Sequence, residues 1–324
     1  MTDDPRPRAL HLELDRYPSE AVETLRAAFR LEDGSDLTGP AVREALAADA
    51  YEVLFVRLGL QVDAALLAAS PTLRTVVTPT TGLDHLDLAA LHERGVRVIS
   101  LRDAPKRIMT VHATAEHTWA LLLACMRSLP QAVSDVTQGN WRRAPFLGTE
   151  LAGRTLGVVG HGRLGSRVAG YGRAFGMDVL AHDVDPGALV DLPERTTAVD
   201  ADTLLTRSDV VSLHLPLTPD TRGWLDRRRI GLLRPGAVVI NTARGELVDE
   251  QALAEALVEG RIGGVGVDVI ADDATWEGRT GRSPLLPLLG TGANLVVTPH
   301  IGGWARDSIA ATRRLITELA VAAH

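Results

Sequence analysis

Three side chains of complementary chemistry stand at the ends of apolar runs in the second half of this sequence. Arg244 follows AVVINT, Asp268 ends GVGVDV with Asp272 and Asp273 just beyond it, and His300 closes LVVTPH. A planar guanidinium pairs with a carboxylate through two parallel N–H bonds and polarises a neighbouring carbonyl. An imidazole gives or takes a proton near neutral pH, and a carboxylate beside it keeps it oriented and favours its charged form. These types together suit hydride chemistry on a 2-oxo acid. The acid is held, the developing alkoxide is protonated, and the carbonyl carbon faces a hydride donor. Taken singly, Arg244 could pair with a surface acid and His300 could cap a turn. Their appearance at successive strand ends, where open α/β sheets bind ligands, is what carries the functional reading.

A hydride donor needs its own site, and the stretch TLGVVGHGRLGSRV supplies one. Gly160, Gly162 and Gly165 have G-x-G-x-x-G spacing, directly after an apolar strand and at the start of a helix. Gly160 allows the tight turn, Gly162 lets backbone approach a pyrophosphate, and Gly165 permits close helix–strand packing. A helix beginning near Arg163 then offers amides and the positive end of its dipole to the phosphates. Eighteen residues past Gly165, the strand VLAHD ends in Asp183. A carboxylate there accepts from ribose hydroxyls and repels a 2′-phosphate, so the expected cofactor is NAD, with NADH favoured over NADPH.

Short aliphatic runs alternate with helical stretches almost throughout, the pattern of a parallel α/β protein. In the first region, strands are expected at 10–15, 53–58, 73–77 and 96–99, with helices at 19–30, 62–69 and 86–94. A long apolar helix is expected at 114–129, followed by a less regular arm to 150. Six further strands are expected at 156–159, 178–181, 210–214, 237–241, 264–269 and 295–298, and a last helix at 305–322. The fold class is therefore α/β with two doubly wound parallel-sheet domains, a Rossmann dinucleotide-binding domain and a flavodoxin-like substrate domain. Residues 1–113 plus 304–324 form the expected substrate domain. Residues 114–303 form the dinucleotide domain, with 114–150 as a dimerisation arm.

Of the 324 residues, 45% are hydrophobic and 23% charged, the balance of an ordinary globular protein, and the length suits two cores. The net charge of −7 argues against a nucleic-acid binder, which would be basic. The start MTDDPRPR lacks an apolar signal core and no run is long enough to span a membrane, so no membrane partner is expected. Cys125 is the single cysteine. It excludes an intrachain disulfide or zinc cluster, sits as a core thiol in WALLLACM, and fits a cytoplasmic protein. No metal site is expected, and with the sequence ending soon after the last helix no appended regulatory domain is expected either.

The segments GHGRLGSRV, SLHLPLTPDTRG, INTARGELVDEQAL, GVGVDV and TPHIGG resemble the D-isomer-specific 2-hydroxyacid dehydrogenase family. TTGLDHLDLAALHERGVRV and ATAEHTWALLLACMRSLP are similar to its first-domain and hinge segments, so the likeness covers most of the chain. The resemblance implies NAD(H)-dependent interconversion of a small anionic 2-oxo acid and its 2-hydroxy acid, by a homodimer. It makes Arg244 the anchor for substrate carboxylate and carbonyl, His300 the acid/base and Asp268 the holder of the nicotinamide carboxamide. It assigns Thr81 and Gly82 to the substrate carboxylate. Arg163, Leu164, Asp183, Thr242, Ala243, His300 and Gly302 become cofactor contacts, with His214, Leu215 and Pro216 near the nicotinamide.

One position departs from the family pattern. Where the family has a glutamate that orients the histidine, followed by proline, this chain has Asp273 and Ala274. Aspartate is one methylene shorter, so contact with His300 needs a shifted loop, a bridging water or another partner. Asp273 is the expected orienting residue, with Asp272 and Glu277 as substitutes, and the loop to Ser283 runs a few residues long. Arg57, ending VLFVR, is expected to face substrate. Lys106, Arg107, Arg142 and Arg143 are further candidates for a second anion, such as the phosphate or phosphonate of a three-carbon acid. Two other functions use the same scaffold: an NAD(H)-sensing protein without turnover, and a formate- or phosphite-type dehydrogenase. The first has no need of Arg244 and His300, and a carboxylate rather than an amide at 273 weighs against formate chemistry.

Overall fold

The computed structural model describes residues 4–273, 276 and 279–324. The chain divides into two compact units, Met1–Val111 with Trp304–His324, and His112–Asp273 with Thr280–Gly303.

The first unit is built on five parallel strands in the order β2-β1-β3-β4-β5. β1 (Arg8–His11) leads through α1 (Ser19–Ala28) to the edge strand β2 (Arg30–Asp33). α2 (Gly39–Ala48) returns to β3 (Val53–Phe55), α3 (Ala64–Ala68) to β4 (Thr75–Thr78), and α4 (Leu88–Glu93) to β5 (Arg97–Ser100). The order is that of a flavodoxin-like sheet. Alternate strand residues face opposite cores. Ala9, Val53, Phe55 and Val77 pack toward α1 and the C-terminal helix, whereas Leu10, Leu54 and Val76 pack toward Val42, Leu46, Leu66 and Leu91 of α2, α3 and α4.

The second unit opens with α5 (Ala113–Met126) and α6 (Leu129–Thr137), then builds a seven-stranded parallel sheet. Its elements are β6 (Thr155–Val159), α7 (Arg163–Ala174), β7 (Asp178–His182), β8 (Thr196–Ala198), α8 (Ala201–Arg207) and β9 (Val210–Leu213). α9 (Arg227–Leu232), β10 (Val238–Asn241), α10 (Glu250–Val258), β11 (Gly264–Val267) and β12 (Leu295–Val297) complete it. The order β12-β11-β10-β9-β6-β7-β8 reverses direction between β6 and β9, the point where such sheets bind dinucleotides. α11 (Arg306–Ala322) then belongs to the first unit, where Leu315, Ile316 and Ala320 join the core and Arg314 pairs with Glu20.

Two strands and two helices go beyond the expected elements. β2 (RLED) and β8 (TTA) are polar edge strands, exposed on most residues, so a search for apolar runs passes over them. α2 fills the gap between the first two expected strands. The long helix ends early: Ser128 adopts a left-handed conformation with φ 48°, and α6 starts afresh beyond it. α5 is a core helix of its own unit, with Trp119, Leu121, Leu122 and Cys125 buried against the sheet.

Candidate active site

The loop between β6 and α7 is shaped by missing side chains. Gly160 has φ 87°, and a Cβ there would lie 2.8 Å from the carbonyl oxygen of His214. A Cβ on Gly165 would come within 1.9 Å of the Gly160 carbonyl oxygen. Gly162 differs, because among the described residues nothing fills the space about its absent Cβ and no side chain caps α7. The amides of Gly162, Leu164 and Gly165 have no acceptor among the described residues, so with the helix dipole they form a cradle for an anion. Asp183, just past β7, accepts the amides of His161 at 2.7 Å and Asp185 at 2.9 Å, one on each carboxylate oxygen. Each oxygen keeps a lone pair for a ribose hydroxyl. Next to this loop, the His214 amide donates to Val159 O at 2.8 Å, which brings His214 and Leu215 beside Gly160, with Pro216 next in the chain. Burial, helped by nearby His161, drives the His214 imidazole down to about 3, and its Nε2 lies 2.9 Å from the Ser212 hydroxyl. This donor and acceptor set fits the pyrophosphate and ribose of NAD.

Asn241 ends β10 and staples the turn that follows. Its Oδ1 accepts the Ala243 amide at 3.0 Å and its Nδ2 donates to the Arg244 carbonyl at 2.8 Å. The Thr242 hydroxyl meets Thr118 of α5 at 2.8 Å. Arg244 is half-buried and donates through Nη1 to the Ala243 carbonyl at 2.7 Å. One strand along, Asp268 is only 1% exposed. Its Oδ1 accepts the Thr298 hydroxyl at 2.6 Å and the Ile301 amide at 2.9 Å, and Oδ2 accepts the Gly302 amide at 2.6 Å. His117 Nε2 lies 3.2 Å from the same carboxylate. Burial pushes this carboxyl up, but the His117, Thr298, Ile301 and Gly302 donors outweigh it and leave it below the usual carboxylate range. Asp268 is thus an ionised staple on the turn that carries His300.

His300 takes a left-handed backbone, φ 54°, and its amide donates to the Asp268 carbonyl at 2.8 Å. Its Nδ1 lies 3.0 Å from Asp273 Oδ2. Asp273 is held in turn by Ile270, with the Asp273 amide 3.1 Å from the Ile270 carbonyl. Nδ1 is therefore engaged, which leaves Nε2 as the ring atom for proton exchange.

In the first unit, Thr81 and Gly82 follow β4. Thr81 O accepts from Arg102 Nε at 2.6 Å and Gly82 O from the Thr80 hydroxyl at 2.7 Å. Their amides have no acceptor among the described residues. Arg57 departs from expectation. Its Nη1 donates to Leu12 O and Ser35 O, both at 2.9 Å, and its Nη2 to Leu37 O at 2.5 Å. The guanidinium closes the loop after β1 by satisfying carbonyls there, instead of being presented to an anion. Arg107 pairs with Glu318 and Arg142 with Asp135, so these too have protein partners.

A model of the NAD-binding domain of D-isomer specific 2-hydroxyacid dehydrogenases matches residues 119–302. A D-3-phosphoglycerate dehydrogenase of Mycobacterium tuberculosis is 42% identical over 253 residues, 78% of this chain and 45% of that protein. A hydroxypyruvate reductase of Thermotoga maritima is 36% identical over 268 residues, 83% of this chain and 82% of that protein. The chain belongs to the D-isomer specific 2-hydroxyacid dehydrogenase family. It spans about half the length of the phosphoglycerate dehydrogenases it matches. A solved D-lactate dehydrogenase of Aquifex aeolicus, complexed with NAD and lactic acid, superposes with a TM-score of 0.80 at 30% identity, covering 97% of this chain and 94% of that one.

Against the family pattern, the short carboxylate at 273 meets His300 directly, without a bridging group. Asp272 has φ 62°, and this left-handed residue turns the backbone so that the next side chain reaches the imidazole. Asp272 itself is exposed, and Glu277 lies outside the described residues. Sequence reasoning passed over Asn241, His117 and Glu250, which touch the site through hydrogen bonds to backbone and to other side chains. Asn241 was legible as a polar residue closing an otherwise apolar strand. His117 sits inside the helical run ATAEHTWALLL, where nothing in the spacing points toward Asp268.

Proposed function

We propose that this protein is an NAD(H)-dependent oxidoreductase that interconverts a small 2-oxo acid and its 2-hydroxy acid. The observation that carries this is the ordered trio at the ends of β10, β11 and β12: a half-buried Arg244, an ionised Asp268 and a His300 paired with Asp273. The glycine loop at Gly160, Gly162 and Gly165, with Asp183, would hold NADH, which would supply the hydride for the carbonyl carbon. Arg244 pairs with the substrate carboxylate and polarises the carbonyl. His300 delivers a proton from Nε2 to the developing alkoxide while Asp273 keeps the ring oriented and balances its charge. The amides of Thr81 and Gly82, which have no acceptor among the described residues, are of the kind that take a carboxylate oxygen. Among the described residues Asp268 Oδ2 accepts the Gly302 amide alone, so its chemistry suits one more donor, such as a carboxamide nitrogen.

Asp183 supports a preference for NADH, because a 2′-phosphate would meet its carboxylate. The substrate is a three-carbon 2-oxo acid, the class to which the names of the hydroxypyruvate and phosphoglycerate relatives point. A phosphate-bearing three-carbon acid is consistent with the phosphoglycerate relatives, although Arg57, Arg107 and Arg142 each have partners within the protein. A homodimer is supported by the apolar side chains that α6 and its arm expose. A single cysteine, Cys125, free and buried, is in keeping with the reducing cytoplasm proposed for the protein.

The test is oxidation of NADH and NADPH by purified protein against a panel of 2-oxo acids, phosphorylated members included. Turnover with one three-carbon acid, faster with NADH, is the expected result. NADH binding without turnover on any acid would favour a sensor, and turnover with formate or phosphite the other enzymatic function.

A further inference from the structure

The partner of His300 sits on a stretch of chain that one carboxylate ties at both ends. Glu250, at the start of α10, accepts the Ala271 amide on Oε1 at 2.7 Å and the Ser283 hydroxyl on Oε2 at 2.6 Å. The Ser283 oxygen accepts the Leu285 amide at 3.2 Å, which anchors the far end. Beside Ala271, the chain rests on bare backbone. A Cβ on Gly245 would lie 2.0 Å from the Ile270 carbonyl carbon and 2.1 Å from the Ala271 nitrogen. Gly245 is the residue after Arg244, so the turn leading to Asp273 is seated directly on the turn presenting the guanidinium. Glu246 adds a weaker hold, its Oε1 being 3.4 Å from the Asp272 amide.

Burial pushes the Glu250 carboxyl above the usual range, opposed by its bonds from Ser283 and Ala271 and reinforced by Glu246 and Asp272. A group under that strain persists where its hydrogen bonds hold something in place. What it holds is the residue two before Asp273. With one methylene fewer than glutamate, Asp273 has little side-chain reach to absorb a backbone shift. Its 3.0 Å contact with His300 therefore depends on where Ala271 and Asp272 stand. A displacement of about 1 Å there is enough to break a hydrogen bond.

We propose that Glu250 is a positioning residue for the acid/base pair: by clasping Ala271 and Ser283 it sets Asp273 against His300. The proposal rests on the dehydrogenase function given above. Glu250 acts through the loop, by its bonds to Ala271 and Ser283.

Glu250→Ala, Glu250→Gln, Ser283→Ala and Asp273→Asn separate this from a merely structural role. Kinetics across the pH range in which imidazole titrates are read together with the ring nitrogen signals of His300 in histidine-labelled protein. Glu250→Ala should lower kcat by about tenfold to a hundredfold, with KM and NADH affinity within about twofold. It should displace the pH profile and the His300 signal in the same direction as Asp273→Asn. Adding it to Asp273→Asn should cost little more, since both remove one interaction. Glu250→Gln keeps an acceptor for Ala271 and offers an amide to the Ser283 oxygen, so it should recover most of the loss. Ser283→Ala, a milder change at the far end, should show a smaller shift in the same direction. A wild-type pH profile and His300 signal in Glu250→Ala and Ser283→Ala overturn the proposal, as do losses that simply multiply in the double variant. Absence of turnover in the parent protein counts against the dehydrogenase function instead, and the His300 signal still reads the positioning.

Discussion

Arg244 and His300 illustrate how a side chain's role depends on what fixes its backbone. Arg244 is presented by a turn that Asn241 closes through both ends of its amide. His300 stands on a left-handed residue that four donors to Asp268 hold in place. Replacing the guanidinium by a point charge at the same place isolates what the planar fork contributes. Arg244→Lys is expected to lower kcat/KM for the 2-oxo acid about 100-fold, roughly 3 kcal/mol of transition-state stabilisation. NADH affinity, followed by fluorescence titration, should stay unchanged, and a comparable loss of NADH affinity would mean that Arg244 serves the cofactor instead.

At the scale of elements, the contact between α7 and β6 depends on residues without side chains. Gly165 and Gly170 both lie in α7, yet their surroundings differ. A Cβ at 165 would sit 1.9 Å from a backbone oxygen, whereas at 170 its nearest neighbour is the Arg173 guanidinium at 3.6 Å. Gly165→Ala should therefore destabilise the protein by about 1–3 kcal/mol and abolish NADH binding, because the helix must back away from the strand. Gly170→Ala should stabilise it by up to about 1 kcal/mol through helix propensity alone. Denaturant unfolding of the two variants checks both, and equal stabilities would show that the helix end is not set by that approach. Element boundaries were legible where strands are apolar on both faces, as in β6, β9 and β10. The polar edges β2 and β8 and the break at Ser128 were not, because their form follows from neighbours rather than from hydrophobic pattern.

Two histidines tie the stability of the whole molecule to pH. His11, in the first unit, stacks on Phe55 at 4.7 Å with Tyr17 edge-on at 4.4 Å. Burial drives it down to about 3, with Arg313 adding to and Asp33 opposing the shift. His214 is held to about 3 in the second unit. Both are neutral when folded and charge readily when unfolded. Their contribution is thus fully present above the unfolded value near 6.5 and falls away as pH drops toward 3. By about pH 5 each should have cost about 2 kcal/mol. Glu13 and Glu250, raised by burial, act in the opposite sense, so the comparison is made against His11→Gln. The stability gap between wild type and this variant should move by about 2 kcal/mol from pH 7 to pH 5 in the variant's favour. No change in the gap would mean that His11 is charged in the fold. On the same scale, α6 and its arm expose Val133 at 61%, Trp141 at 91% and Leu147 at 93%. Such side chains on one arm suit burial against a second copy. Sedimentation should show a dimer for the wild type and a larger monomer fraction for Trp141→Glu; a monomeric wild type would remove the homodimer.

Sequence alone determined the class of fold and singled out the glycine loop, Asp183 and the three strand-end residues as candidates, because each follows from local physics. Apolar runs bury, glycines turn, and chemistry-bearing side chains stand out against an aliphatic background. Tertiary structure decided what depends on partners distant in the chain. It placed Arg57 on the carbonyls of Leu12, Ser35 and Leu37, buried Trp119 while exposing Trp141, and brought His117 to Asp268. It also let a shorter carboxylate at 273 reach His300. Hydrogen bonds to backbone carry no spacing rule, so Glu250 holding Ala271 and Ser283 becomes visible only when the loop is folded.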